Sequence, residues 1–218
     1  MQLNQLRIVF EDRSVVIVDK PVNLLTMATQ AERTRTVYAA LRARANSKRP
    51  PEKIFIVHRL DREASGLLVF AKTIEAKEHL QSQFKDHSAG RRYIAVVEGR
   101  VARDNFTIRS HLAENAAYRV YSSRKPGLGK IAVTHARVIQ RRPKATVLEI
   151  RLETGRKHQI RVHLAEEGHP IVGDKIYGSR SNPIRRLALH AAHLEFRHPE
   201  TNNFMRFESP FPKSFSVL

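Results

Sequence analysis

VHRLDREASGLLVFA, residues 57–71, changes character in mid-course. Its first half is charged and rich in turn-forming residues, whereas LLVFA at 67–71 is an unbroken apolar run that reads as a strand. A second short apolar run, at 54–57, precedes it. Asp61 therefore falls in a turn-rich gap between two strands, where a rigid sheet presents a loop side chain. It is a candidate catalytic acid. Taken alone, it reads as readily as the cap of a turn or the partner of Arg59 or Arg62.

Outward from this stretch, strand-like runs dominate. Residues 15–18 and 93–97 are short, β-branched or aromatic and bounded by turn residues, and further candidates follow at 106–110, 117–121, 131–139, 146–152, 187–196 and 204–207. Helical periodicity occurs at 36–45, with Val37, Ala40, Leu41 and Ala45 on one face, and at 73–87, where Thr73 is the N-cap and Leu80 and Phe84 form the stripe. A third helix is expected over 156–167, ending at Gly168 with Pro170 beyond. Strands and helices do not alternate, so the pattern predicts an α+β fold: a large, mostly antiparallel sheet with a few flanking helices. No GxxxxGK[ST] or GxGxxG follows a strand. The loops at 46–53 (NSKRPPEK) and 122–129 (SSRKPGLG) are too short to divide the chain, so residues 1–218 are expected to form one domain.

Composition limits the chemistry. The chain has no cysteine, which excludes disulfides, thiolate metal sites, iron–sulfur clusters and cysteine nucleophiles. Its apolar runs are far too short to cross a bilayer, and its N-terminus has no secretory pattern, so a soluble, cytoplasmic protein is expected. Lys and Arg number 39 against 21 Asp and Glu, a formal charge of 39 − 21 = +18. Half of that surplus lies in residues 119–157, where eleven Lys and Arg meet two Glu. Many of these cations alternate with apolar residues, which places them on the solvent face of strands. Such a surface suits a polyanion, because neutralised phosphates release their counterions. A nucleic acid is therefore the expected partner, ahead of a merely solubilising surface or an acidic membrane.

Two more segments could carry chemistry. In LETGRKHQIRVHL (152–164), a helix starting at Arg156 would set Lys157 with Arg161, and Gln159 with His163, on shared faces. The alternative is an ordinary solvated basic helix. In RRYIAVVEG (91–99), Tyr93 heads an apolar strand and reads most simply as a core aromatic. Among the eleven histidines, His190 and His193 would face opposite sides of a strand, which argues against a metal site.

Together these segments resemble a known family. HRLDREASGLLVFAK (58–72) is similar to the defining motif of the RluA-type pseudouridine synthases. IVDKPVNLL (17–25) resembles that family's N-terminal motif, RRYIAVVEG its tyrosine motif and LETGRKHQIRVHL its arginine motif. GKIAVT (129–134), GHPIVGDKIYG (168–178) and LALHA (187–191) follow in the family's order. The resemblance implies one α+β catalytic domain, with a central RNA-binding cleft, that isomerises uridine to pseudouridine in structured ribosomal or transfer RNA. It implies no cofactor and no metal, and a monomer. Asp61 would be the catalytic aspartate, Tyr93 the aromatic against the target base and Arg161 the ion-pair partner of Asp61. Arg59 would contact RNA beside the everted nucleotide, and Ile160 would join Arg161 in binding substrate. Asn23 replaces a customary Gly and Ala64 a common Thr, so the first turn is expected to differ slightly and the loop to lack one hydroxyl. Many relatives begin with an S4 RNA-binding domain. Here about fourteen residues precede the first expected core strand, so recognition would fall to the catalytic domain's own basic surface.

The implied reaction breaks an N–C glycosidic bond, turns the uracil and rejoins it through carbon. No redox change accompanies it and no group is lost. One carboxylate is needed, to attack ring or sugar or to take a proton from the sugar. A cation such as Arg161 would keep Asp61 charged against burial, and a flipped uridine would regain stacking on Tyr93. Competing readings are a non-catalytic RNA-binding protein and a metal-free RNA hydrolase using His58 or His163 as acid or base.

Overall fold

The apolar run at 67–71 is the centre of β4 (Ser65–Ala71), and all seven of its residues are buried. A computed structural model describes residues 6–218 of the chain. β4 pairs antiparallel with β2 (Val15–Lys20), placing Val69 opposite Ile17, and β1 (Arg7–Glu11) pairs antiparallel with β2. The short β3 (Phe55–Ile56) also pairs antiparallel with β4. Two helices explain the continuous apolar reading. Ala76 and Leu80 of α2 (Ile74–Lys85) pack with Ile17, Leu67 and Val69. Leu41 and Ala45 of α1 (Val37–Asn46) gather with Val16 and Ile54. Alternate residues of a strand face opposite ways, so a helix on each side leaves no polar positions. Thr36 and Thr73 cap these helices, each hydroxyl accepting from a backbone N–H three residues on, at 3.0 and 3.1 Å.

The chain folds as two compact units, one of Met1–Arg91 with Ala191–Pro210 and one of Arg92–His190 with Phe211–Leu218. β5 (Gly90–Glu98) and β10 (Leu189–Arg197) each run from one unit into the other. In the first unit β11 (Phe204–Glu208) pairs antiparallel with β10, and Phe196 and Leu194 enter the core beside Ile17 and Val69. In the second, β5, β9 (Ala145–Leu152), β8 (Lys130–Arg141), β6 (Asn105–Glu114) and β7 (Val120–Ser123) are antiparallel neighbours in that order. The third helix, α3 (Gln159–Glu166), packs Val162 on Leu112, Val120 and Ala132. Among the described residues, eleven strands in a mixed sheet with three α-helices give the α+β class expected.

All ten strands expected from the sequence are present, with boundaries shifted by a few residues. β1 went unread because RIVFE is short and a charged turn separates it from β2. The third helix starts at Gln159 rather than Arg156, and the reason is local. His158 is left-handed at φ 52°, and the Gln159 side chain folds back to accept from Arg156 N at 3.0 Å and Thr154 Oγ1 at 2.8 Å. Lys157 thus lies outside the helix and shares no helical face with Arg161. Nor is α3 a solvated basic helix, since every residue from Gln159 to Leu164 is buried. Its C-terminal signal reads correctly: Gly168 is left-handed, and His169 N bonds Leu164 O at 2.9 Å.

Gly66 in β4 has no substitute. Its φ is +111°, and a Cβ there would lie 2.2 Å from the Ala191 carbonyl oxygen. Gly66→Ala should cost about 3 kcal/mol or more in urea unfolding. A loss under about 1 kcal/mol would show that β4 and β10 are not held at this spacing.

Candidate active site

Asp61 lies on the loop between β3 and β4, and the backbone around it is tied down from several sides. Ala64 N donates to Asp61 O at 3.2 Å, closing a turn. Lys20, fully buried at the end of β2, donates from Nζ to Pro21 O, Leu24 O and Arg62 O at 3.0, 2.8 and 3.1 Å. Thr26 Oγ1 donates to Leu60 O at 2.9 Å and accepts from Leu60 N at 3.1 Å. Arg59 and Arg62 are exposed, whereas Leu60 and Ala64 are buried. Asn23 takes φ 61°, so this Asn adopts a left-handed turn of the kind glycine favours.

His58 begins the same loop. Its Nε2 accepts from Val69 N at 3.2 Å, so the neutral ring carries its proton on Nδ1. The ring lies 4.7 Å from that of Phe84, and the Arg91 guanidinium sits 4.8 Å over the same phenyl. Burial, reinforced by the Arg91 charge, lowers the His58 pKa from 6.5 to about 3. His163 has both ring nitrogens engaged: Nδ1 meets Thr134 Oγ1 at 2.8 Å, Nε2 meets Ser110 Oγ at 3.0 Å, and burial lowers its pKa. Neither imidazole is placed for acid–base exchange, which argues against the hydrolase reading.

The remaining expected residues belong to the second unit. Tyr93 lies in β5 opposite Ile150 and is 5% exposed. Ile160 and Arg161 are consecutive on α3 and both buried. Arg161 is held by a residue the sequence reading missed. Its Nε and Nη2 donate to Asp174 Oδ2 and Oδ1 at 2.7 and 2.8 Å, and its guanidinium lies 5.2 Å over the Tyr177 ring. Asp174 is 1% exposed and caps the 3-10 turn Lys175–Tyr177. The available signal was an acid between Gly173 and Gly178 in the motif at 168–178. Buried carboxylates need such partners, and the bidentate pair also fixes the guanidinium plane.

The basic stretch is partly consumed by pairing. Arg137 meets Glu149 at 2.9 Å, Arg141 meets Asp104 at 2.6 Å, and Lys157 pairs with Glu114. Arg119, Arg124, Lys125, Lys130, Lys144, Arg151 and Arg156 are exposed and have no carboxylate partner among the described residues. The first four flank β7 and its loop to β8, beside exposed Tyr118 and Tyr121. None of the described helices is long and apolar enough to cross a membrane.

The α+β fold thus carries Asp61 on a tied-down loop and exposed cations around β7, and comparison with known proteins specifies the family. Residues 14–166 match the RNA pseudouridylate synthase family. Ribosomal large subunit pseudouridine synthase D of Nitrosomonas europaea is 38% identical over 98% of this chain and 64% of its own length. Its namesake from Pseudomonas aeruginosa is 37% identical over 98% of this chain and 71% of its own length. The solved structure of human RNA pseudouridylate synthase domain containing 1 superposes with a TM-score of 0.79 at 25% identity, covering 97% of this chain and 86% of that one. The chain belongs to the RNA pseudouridylate synthase family, isomerases that convert uridine to pseudouridine in RNA. It spans about two thirds of the length of these bacterial relatives.

The His58 environment carries a pH signature. Between pH 6.5 and about 3 the unfolded chain holds a proton that the folded chain refuses, so stability rises with pH across that window by about 1.4 kcal/mol per unit. Acidification from pH 7 to 5 should therefore cost the wild type about 2 kcal/mol more than His58→Gln in chemical denaturation. Parallel losses would contradict a neutral, enclosed His58.

Proposed function

We propose that this chain, acting as a monomer without a cofactor, isomerises specific uridines to pseudouridine in structured RNA, with ribosomal RNA of the large subunit as its substrate. The observation that carries this reading is the family match over residues 14–166, which includes the Asp61 loop and Arg161. The ribosomal assignment follows the names of the bacterial relatives. Transfer RNA is the second substrate class to be tested.

In this reading Asp61 is the reacting carboxylate. It attacks the uracil ring or the sugar, or removes a sugar proton, while the N1–C1′ bond breaks. The uracil then turns, C5 bonds to C1′, the C5 proton leaves to solvent, N1 takes up a proton and Asp61 is returned as a free carboxylate, so atoms and charge balance. In the same reading Arg161, its plane set by Asp174, is the ion-pair partner of Asp61. Tyr93 supplies the face on which the everted base stacks, Ile160 lines the substrate's apolar side, and exposed Arg59 contacts the backbone beside the flipped nucleotide. The cations around β7 supply sequence-independent affinity, and exposed Tyr118 and Tyr121 offer stacking faces to unpaired bases.

Asp61→Asn should bind RNA within about threefold of wild type yet lose pseudouridine formation by about 10³-fold or more, read by carbodiimide-stop mapping of total RNA. Full activity in that variant would remove Asp61 from the chemistry. The same mapping separates ribosomal from transfer RNA by where the new stops appear. Replacing Arg124, Lys125 and Lys130 together with alanine should reduce the slope of log affinity against log salt by roughly 2. An unchanged slope would move the RNA contact elsewhere.

A further inference from the structure

Thr26 lies just beyond the N-terminal motif at 17–25, and its side chain reaches across 34 residues of sequence to Leu60. It is 2% exposed. Its single hydroxyl serves both backbone groups of one residue, accepting from Leu60 N and donating to Leu60 O. The Leu60 carbonyl belongs to the same peptide plane as the amide nitrogen of Asp61, so this bond sets the plane that leads into Asp61. The planes that follow are set in turn: Asp61 O accepts from Ala64 N, and Arg62 O accepts from Lys20 Nζ. Three successive carbonyls are thus fixed, and the first depends on Thr26.

Thr26 is itself anchored. Its carbonyl accepts from Tyr38 N at 3.1 Å, and Leu25 O accepts from Val37 N at 2.8 Å. Leu25 also bridges Thr36, the buried N-cap of α1. The loop that bears Asp61 is therefore referenced to the N-terminus of α1 through one hydroxyl. Valine would keep the volume of Thr26 but leave both Leu60 groups without this partner, in a site where Leu60 is buried.

We propose that Thr26 is a positioning residue for Asp61, acting through Leu60 on the rate of the chemical step rather than on RNA affinity. The inference rests on Asp61 being the reacting carboxylate. A misplacement of about 1 Å in a reacting group costs on the order of 10²-fold, so a loosened loop should slow catalysis measurably.

The test compares wild type, Thr26→Val, Thr26→Ser and Asp61→Asn in single-turnover pseudouridine formation, with RNA affinity and the thermal midpoint measured in parallel. Thr26→Val should lose roughly 30- to 100-fold in rate with affinity within about twofold, and Thr26→Ser should recover to within about threefold of wild type. Should Thr26→Val not fold at the assay temperature, Thr26→Cys drops the methyl but leaves a weak donor and acceptor, and should be about tenfold slow. A wild-type rate in the valine or cysteine variant overturns the proposal. So does a serine variant as slow as valine, because that result assigns the effect to the methyl group. If Asp61→Asn is inactive while Thr26→Val is fully active, only this proposal fails; if Asp61→Asn is active, the reading of Asp61 fails first.

Discussion

A buried ammonium ion constrains the first unit more than any other single feature. Lys20 is fully enclosed at the end of a core strand, and a desolvated cation is tolerated only where acceptors surround it. Three backbone carbonyls do so, two from the segment that follows β2 and one from Arg62. The charge cannot leave without exposing those carbonyls, and they cannot rotate without losing its hydrogen bonds. The loop at 58–64 is therefore closed against residues 20–26 by electrostatics, and β4 behind it is immobilised by burial at every position. An aspartate on such a loop can be presented without an entropic penalty at the moment of reaction.

The second unit solves a similar problem in another way. Arg161 is almost completely buried, and its counter-charge comes from Asp174, thirteen residues further on, in a bidentate arrangement. That pair holds a planar cation in one orientation on a helix whose outward turn at His158 is left-handed. The polar side chains around α3 are equally committed. Gln159 bonds Val133 O and Thr134 Oγ1, and His163 bonds Thr134 and Ser110, so β6, β8 and α3 share one network. Satisfied networks of this kind fix a unique packing, since each member left unpaired in a dry interior is costly.

Much of this was legible in the sequence, and the parts that were not have physical reasons. Strands such as β4 and β2 announce themselves because burial on both faces requires continuous apolar residues, and Thr73 and Gly168 mark helix ends by capping chemistry that is local. The start of α3 was misplaced because Gln159 turns its side chain back to Thr154 and Arg156, a choice driven by contacts that no periodicity encodes. Asp61, Tyr93 and Arg161 are singled out only by resemblance; by pattern alone each has an ordinary reading. Thr26 and Asp174 act through bonds spanning 34 and 13 residues, and nothing in a threonine or a glycine-flanked acid signals that reach. The surplus charge of 119–157 was legible as a sum but not as a surface, because Arg137, Arg141 and Lys157 are spent on carboxylates.

The central claim is that this chain exchanges a nitrogen–carbon bond for a carbon–carbon bond at intact RNA. Incubation of the protein with RNA carrying tritium at uridine C5 tests it directly, because C5 must lose its hydrogen as it bonds to C1′. The account predicts stoichiometric tritium release for each pseudouridine formed, with the RNA chain uncut. Absence of release from any cellular RNA, or release that tracks strand cleavage, would contradict it.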